Sequence, residues 1–270
     1  MRSDIMKKDA ILIVSFGTSY KETREKTIDV LERRVAEEFP DWDVRRAFTS
    51  KMVIRILRKR DNIKVDYITE ALQRLVDEGF KNVIVLPTHI INGIEYDDIR
   101  MITDGFRNRF YTVRIGGAML SCGEDYAASI EGIKNVYMNR FLKEGDTGKA
   151  MVLMGHGSDH FANACYSELQ MRLRKSGIED VYVTTVEGFP SLDYTIEKIT
   201  EKDYRSICLV PFMVVAGDHA INDMAGYGDD SLRSRFFKLG YDVECVLEGL
   251  LEHKEFQDIY INHLIKMIEG

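Results

Sequence analysis

The sequence predicts an α/β protein built from two similar halves, each a mostly parallel sheet flanked by helices, with a cleft between them. Short Val- and Ile-rich runs alternate with stretches of helical periodicity, the pattern of strands covered on both faces by helices. The chain also repeats itself. ILIVSFGTS (Ile11–Ser19) aligns with MVLMGHGSD (Met151–Asp159) at a spacing of 140, so that Phe16 matches His156. VIVLPTHIINGIEYDDI (Val83–Ile99) aligns with ICLVPFMVVAGDHAIND (Ile207–Asp223) at a spacing of 124, which matches Pro87 with Pro211, Gly93 with Gly217 and Glu95 with His219. The scaffold is duplicated, and only the second copy carries histidines at the matched positions 156 and 219. Ligand sites favour the interface between two such halves.

Taken in order, apolar runs at 10–16, 42–48, 82–87 and 111–116 are the expected strands of the first half, with helices at 20–39, 64–78 and 95–108 between them. The second half repeats the order, with strands at 149–154, 180–186, 205–212 and 242–247 and helices at 160–176, 191–202 and 229–239. Two further helical segments, 124–143 and 252–269, each follow the last strand of a half. No Pro- or Ser-rich linker separates the halves. The expected division is therefore 1–135 and 136–270, with the last helix packing back on the first domain. A βαβα rhythm of this kind implies right-handed crossovers.

Composition bounds the function. The 270 residues are 45% hydrophobic and 30% charged, enough for two domains with cores of their own. No apolar run reaches the length of a membrane span, and the first strand begins within about ten residues of the start, so the expectation is a cytoplasmic protein without a membrane partner. Cys122, Cys165, Cys208 and Cys245 are widely spaced and are expected to stay reduced. A net charge of −7 argues against nucleic acid as a partner. Self-association is left open. Against this acidic background, Lys51–Lys64 (KMVIRILRKRDNIK) carries six basic residues, including Arg55, and one acid, Asp61. It falls where the repeat spacing shortens. Either it is a solvated helix on the rim, or it is a basic flap over a polyanionic small molecule.

Ligands of open α/β sheets gather beyond the carboxyl ends of the strands. The first strand of each half ends in small residues, Gly17, Thr18 and Ser19 in one copy and Gly155, Gly157 and Ser158 in the other. Such turns before a helix offer amides to an anion, although capping explains Thr18 and Ser19 equally well. Neither GxGxxG nor GxxxxGK[ST] is present, so no nucleotide is implied. In the second half three strand ends carry His156, Glu187 (in VTTVEGFPS) and His219 (in MVVAGDHAIND). Two imidazoles and a carboxylate can hold a divalent transition ion while leaving positions open. Glu95, the repeat counterpart of His219, is a candidate proton carrier. His89 aligns with Met213 and is a candidate for the opposite wall; His160 reads first as a helix-entry hydrogen bond, with support of a ligand or service as an alternative ligand left open, and His253 and His263 as surface or packing residues.

These segments together resemble the anaerobic-pathway cobalt chelatases that act on sirohydrochlorin, a branch of the class II chelatases that also includes the ferrochelatases. The resemblance runs through LIVSFGTS, LPTHIINGIEYDDI, MGHGSDHFANACY, VEGFPS and VPFMVVAGDHAINDMAGYGDDS. It implies a metal site of His156, Glu187 and His219, catalytic roles for His156, His219 and Glu95, and a tetrapyrrole substrate. It implies Co²⁺ as the substrate metal in cobalamin synthesis, with Fe²⁺, Ni²⁺ or Zn²⁺ also accepted within the group, and no organic cofactor. Gly17, Thr18, Ser19, Arg55 and His89 are the expected substrate contacts, with Arg45 and Arg46 beside them. Inserting a dication into the macrocycle requires an ion held by few ligands and a base for two pyrrole protons, and histidine supplies both. Iron insertion into sirohydrochlorin or protoporphyrin is the alternative within this class. A non-catalytic carrier of haem or metal is the alternative outside it, and a metal-dependent hydrolase lacks a general-base motif here.

Overall fold

A computed structural model describes residues 9–142 and 148–269. The first sheet holds β1 (Asp9–Ser15), β2 (Asp43–Phe48), β3 (Asn82–Pro87) and β4 (Thr112–Ile115) in the order β2-β1-β3-β4. The second holds β5 (Lys149–Gly157), β6 (Val181–Glu187), β7 (Ser206–Pro211) and β8 (Asp242–Cys245) in the matching order β6-β5-β7-β8. Every pairing is parallel. The helices of the first half are α1 (Lys21–Lys26), α2 (Ile28–Glu38), α3 (Lys51–Arg60), α4 (Ile68–Asp77) and α5 (Ile94–Gly105). Then come α6 (Gly123–Gly132), α7 (Asn139–Phe141), α8 (Ala164–Lys175), α9 (Leu192–Thr200), α10 (Leu232–Lys238) and α11 (Lys254–Glu269). Among the described residues no helix is long and apolar enough to cross a membrane. All four cysteines are free.

The apolar strands lie where both sheet faces are covered. Ala10–Val14 of β1 and Ala150–Met154 of β5 are without exposed surface. Burying each large side chain there stabilises the fold by roughly 1.5–3 kcal/mol. Helices supply the covering layer through one apolar stripe each. In α4 the stripe is Ile68, Ala71, Leu72 and Leu75, and Glu70 turns back to accept the Tyr67 amide at 3.1 Å.

The chain divides into two compact units, residues 9–119 with 257–269 and residues 120–256. This boundary differs from the expected one at 135. The segment 120–135 belongs to the second unit because α6 packs there: the Tyr126 hydroxyl lies 3.5 Å from the Cys165 carbonyl, and Gly132 lies so close to Phe256 that a Cβ would come within 2.9 Å of its ring. The expected end of that helical segment, at 143, lies outside the described residues. From Gln257 onward α11 belongs to the first unit, where Asp258 pairs with Arg34 and the Tyr260 hydroxyl donates to the Thr88 carbonyl at 3.1 Å.

Two strand-end glycines show how tightly the repeat is drawn. Gly17 and Gly157 both have positive φ, 93° and 81°. A Cβ at Gly17 would lie 2.5 Å from the Phe48 ring, and one at Gly157 would lie 1.5 Å from the carbonyl oxygen of Glu187. At Gly155 a Cβ would fall 2.3 Å from the ring of Tyr166 on α8.

His89, in the loop after β3, has both ring nitrogens buried and without a hydrogen-bond partner. The residue as a whole keeps some surface, but the nitrogens decide its charge. Desolvation pushes its pKa down to about 4.

Two predictions follow from this packing. Gly157→Ala should lose about 2 kcal/mol or more of unfolding free energy in urea, from left-handed strain plus contact with backbone. Gly79→Ala, with similar φ of 81° but nothing within 4 Å of the added Cβ, should lose only the strain; equal losses would contradict the packing account. For His89 the folded pKa lies below the unfolded value near 6.5, so the unfolded state takes up the proton first as pH falls. Its contribution is whole above pH 6.5 and is lost towards pH 4, on the order of 3 kcal/mol. Denaturant titrations of wild type and His89→Asn across that window should show a steeper loss in wild type, and parallel curves would contradict the assignment.

Candidate metal and proton site

The site is built at the carboxyl ends of β5, β6 and β7. β5 runs past the last core residue, Met154, into Gly155, His156 and Gly157, and only the imidazole of this trio faces solvent. Tyr166, fully buried on α8, supports the strand end from below, its ring against Gly155 and its hydroxyl facing the amides of His156 and Gly157. Asn163 then fixes the loop beyond. Its Oδ1 accepts the Ser158 amide at 3.0 Å, and its Nδ2 donates to the Phe189 carbonyl at 2.6 Å. One side chain thus ties the β5 loop to the β6 loop. His160 accepts the Ala162 amide on Nδ1 at 3.2 Å, the helix-entry role expected of it.

His219 reaches the same place from β7. It immediately precedes a π-helical turn, Ala220–Met224, a local widening of the helix that recurs at functional sites. The rings of His156 and His219 meet edge to face, with centroids 4.8 Å apart and planes at 86°.

Each ring has its Nδ1 engaged. His156 Nδ1 lies 2.9 Å from the Gly157 carbonyl, and His219 Nδ1 lies 2.5 Å from the Asp223 carboxylate. A carbonyl and a carboxylate only accept, so Nδ1 carries the proton in both and the lone pair of a neutral ring resides on Nε2. The pair therefore offers two Nε2 atoms to an incoming ion or proton.

Glu187 is exposed at the end of β6 and does not close on the two rings. Among the described residues no three His, Cys, Asp or Glu side chains are grouped closely enough to hold a metal ion. In the register of the two strands Gly157 pairs with Glu187. Phe161, Val186, Phe189 and Ile221, in or just beyond these strand ends, leave large apolar side chains exposed.

The remaining expected contacts lie in the first unit, and several are spent on the fold. Gly17 and Thr18 are buried, and Thr18 Oγ1 accepts the Tyr20 amide at 3.2 Å. The helix that follows, α1, has only six residues, and Thr18 makes the local capping contact that was the other reading of this turn. The Ser19 carbonyl accepts from Arg60. Arg45 is held by Asp43 at 2.6 Å and Glu78 at 2.8 Å, and Arg46 by Glu32 at 2.7 Å and by Asp29, so neither cation is available. His89 presents no ring nitrogen to a ligand, because both are buried.

The basic stretch is a helix, α3, capped by Ser50 Oγ on the Val53 amide and anchored through buried Val53 and Leu57. It is not a loose flap. Arg55, Arg58 and Lys59 are exposed and make no ion pair with a described residue. Its place in the repeat is also clear. Phe48 bridges to Tyr67 as Thr185 bridges to Ser191, and α3 fills the longer interval. Glu95 is exposed on the first turn of α5. Asp223, Asn163 and Tyr166 were not singled out by sequence reasoning. The signal for Asp223 was available in the HxxxD spacing of His219 and Asp223, and the other two look like ordinary helix residues.

Comparison with known proteins identifies the family. The family model described as Cobalt chelatase (CbiK) matches residues 9–269. The sirohydrochlorin cobaltochelatase of Salmonella typhimurium is 38% identical over 257 residues, covering 95% of both chains. The sirohydrochlorin cobaltochelatase CbiKC of Nitratidesulfovibrio vulgaris is 31% identical over 267 residues, covering 98% of this chain and 92% of the relative. Among solved structures, SirB from Bacillus subtilis superposes with a TM-score of 0.63 at 13% identity, over 96% of this chain and 94% of that one. CbiX, described as the terminal enzyme of sirohaem biosynthesis in denitrifying bacteria, superposes with a TM-score of 0.56 at 16% identity, over 95% and 98%. These two likenesses concern the fold. With its two matching parallel sheets, its paired strand-end histidines and a family match spanning nearly every residue, the chain belongs to the cobalt chelatase (CbiK) family.

Proposed function

We infer that this chain is a sirohydrochlorin cobaltochelatase, which inserts Co²⁺ into sirohydrochlorin on the route to cobalamin. The observation that carries the reading is the pair of imidazoles with both Nδ1 atoms engaged and both Nε2 atoms open. Full homologues that bear this activity in their names support it.

Metal insertion exchanges two pyrrole protons for one dication. No electrons move, so no organic cofactor is needed. Co²⁺ is the substrate metal, and related dications such as Fe²⁺, Ni²⁺ and Zn²⁺ fit the same nitrogen and oxygen donors, so the choice among them is a matter of relative rate. His156 and His219 hold the incoming ion through Nε2. Few ligands suit this work, because a closed four-ligand site would not release the metal to the macrocycle. As pyrrole nitrogens replace the imidazoles on the metal, the freed Nε2 atoms accept the protons that leave. Glu187 joins the set when the ion arrives, its long side chain swinging from an exposed strand end beside Gly188, whose φ is 97°. Glu95 serves as a second proton-handling carboxylate.

The substrate is a flat macrocycle fringed with carboxylates. Exposed Phe161, Val186, Phe189 and Ile221 suit its face, and Arg55, Arg58 and Lys59 of α3 suit its fringe. Of the other contacts expected in the first half, the exposed or partly exposed Ser19 remains suited to the fringe. We place the reaction in the cytoplasm, consistent with four free thiols.

Two measurements test this reading. In an anaerobic absorbance assay with sirohydrochlorin and Co²⁺, His156→Ala and His219→Ala should each slow metallation by about 100-fold or more; a wild-type rate in His156→Ala would contradict the mechanism. Replacing Arg55, Arg58 and Lys59 together by Gln should raise KM for sirohydrochlorin several-fold at low salt and leave KM for Co²⁺ unchanged, the difference shrinking as salt is added. An unchanged KM for sirohydrochlorin would remove α3 from substrate binding.

A further inference from the structure

We propose that Asp223 is a positioning residue for metal capture: it fixes His219 in the tautomer and orientation that aim Nε2 at the incoming Co²⁺. The proposal rests on the reading of His219 as a metal-holding side chain.

Four observations carry it. His219 Nδ1 and Asp223 Oδ2 are 2.5 Å apart, a charge-assisted contact at the short end of the hydrogen-bond range. The residues are four apart, His219 at the start of a π-helical turn and Asp223 within it, which sets the spacing between ring and carboxylate. Packing holds that turn in place: Ala220 and Met224 are fully buried, and Gly226 follows so closely that a Cβ there would lie 2.2 Å from the Asn222 carbonyl oxygen. The repeat supplies the comparison. At the spacing of 124 the counterpart of Asp223 is Ile99, a fully buried core residue of α5. The scaffold position takes an apolar side chain where no histidine stands, and a carboxylate where one does.

The same turn contains a built-in control. Asn222 Nδ2 donates to Asp218 Oδ1 at 3.0 Å, an i,i+4 contact parallel to that of His219 and Asp223 but without an imidazole. Removing it tests the turn, while removing Asp223 tests the ring.

The two histidines are not equivalent in this scheme. His156 is oriented by a backbone carbonyl that no substitution removes, whereas His219 depends on a side chain. Without Asp223, His219 is free to turn or to place its proton on Nε2, and either change withdraws one of the two donors from the metal. Loss of a carboxylate behind a metal-binding imidazole costs about 10- to 100-fold in metal affinity.

The experiment uses the full chain. Co²⁺ is titrated in the absence of tetrapyrrole and followed by its d–d absorbance, and KM for Co²⁺ and for sirohydrochlorin are measured separately. Asp223→Ala is expected to weaken Co²⁺ binding and raise its KM by about 10- to 100-fold, with KM for sirohydrochlorin unchanged. Asp223→Asn, whose amide oxygen still accepts from Nδ1, is expected to restore most of the loss, and Asn222→Ala to match wild type. Wild-type Co²⁺ binding in Asp223→Ala, an equal loss in Asn222→Ala, or an Asp223→Asn variant as weak as Asp223→Ala would each overturn the proposal. If Asp223→Ala does not fold, the Asn and Asn222→Ala arms still decide it. His219→Ala separates the two levels. Unaltered Co²⁺ binding in that variant would refute the metal-site reading itself, whereas loss there with none in Asp223→Ala would refute only the positioning role.

Discussion

A side chain at Gly157 would force the backbone to shift. Its φ is 81°, and a Cβ would stand 1.5 Å from the carbonyl oxygen of Glu187. This close approach lets β5 and β6 end side by side. It also places the Gly157 carbonyl where His156 Nδ1 can donate to it. The same glycine therefore brings two strand ends together and sets the tautomer of the histidine that precedes it. Tyr166 beneath Gly155 and Asn163 across the two loops hold the arrangement from either side. An imidazole on a fixed backbone loses little freedom when it engages a ligand.

The first half shows what this scaffold is without the chemistry. Gly17 makes the same left-handed turn at the end of β1, packed against Phe48, yet the residue before it is Phe16. The counterpart of His219 is Glu95, and the counterpart of Asp223 is the core residue Ile99. Between β2 and β3 the first half carries the extra helix α3, whose outer face bears Arg55, Arg58 and Lys59. Duplication thus supplied two equivalent frames. The paired histidines and Asp223 occupy one, and the basic helix α3 belongs to the other.

Much of this was legible in the sequence because it rests on local patterns. All eight strands were expected from short apolar runs, and each lies within a few residues of its expected position. The repeat spacing located α3, because a drop from 140 to 124 requires extra residues in the first half. Less legible was anything that depends on where a side chain ends. Arg45 and Arg46 looked available as cations, but their partners Glu78, Asp29 and Glu32 come from other elements. His89 looked like a wall residue, yet burial of both nitrogens is a tertiary property. The boundary was set too late because α6 continues the helical pattern after β4 while packing against Phe256, more than a hundred residues away. Glu187 stands exposed at the end of β6, the strand end on which it was expected, with no third ligand gathered beside the two rings among the described residues.

The central claim is that the open Nε2 atoms of His156 and His219 are where Co²⁺ is held before it enters the macrocycle. Anomalous diffraction at the cobalt edge, from crystals of the full chain soaked in Co²⁺ without tetrapyrrole, tests it most directly. The account predicts a cobalt peak within bonding distance of both Nε2 atoms, with the Glu187 carboxylate turned towards it. A well-occupied peak bonded elsewhere, with these two rings unliganded, would contradict it.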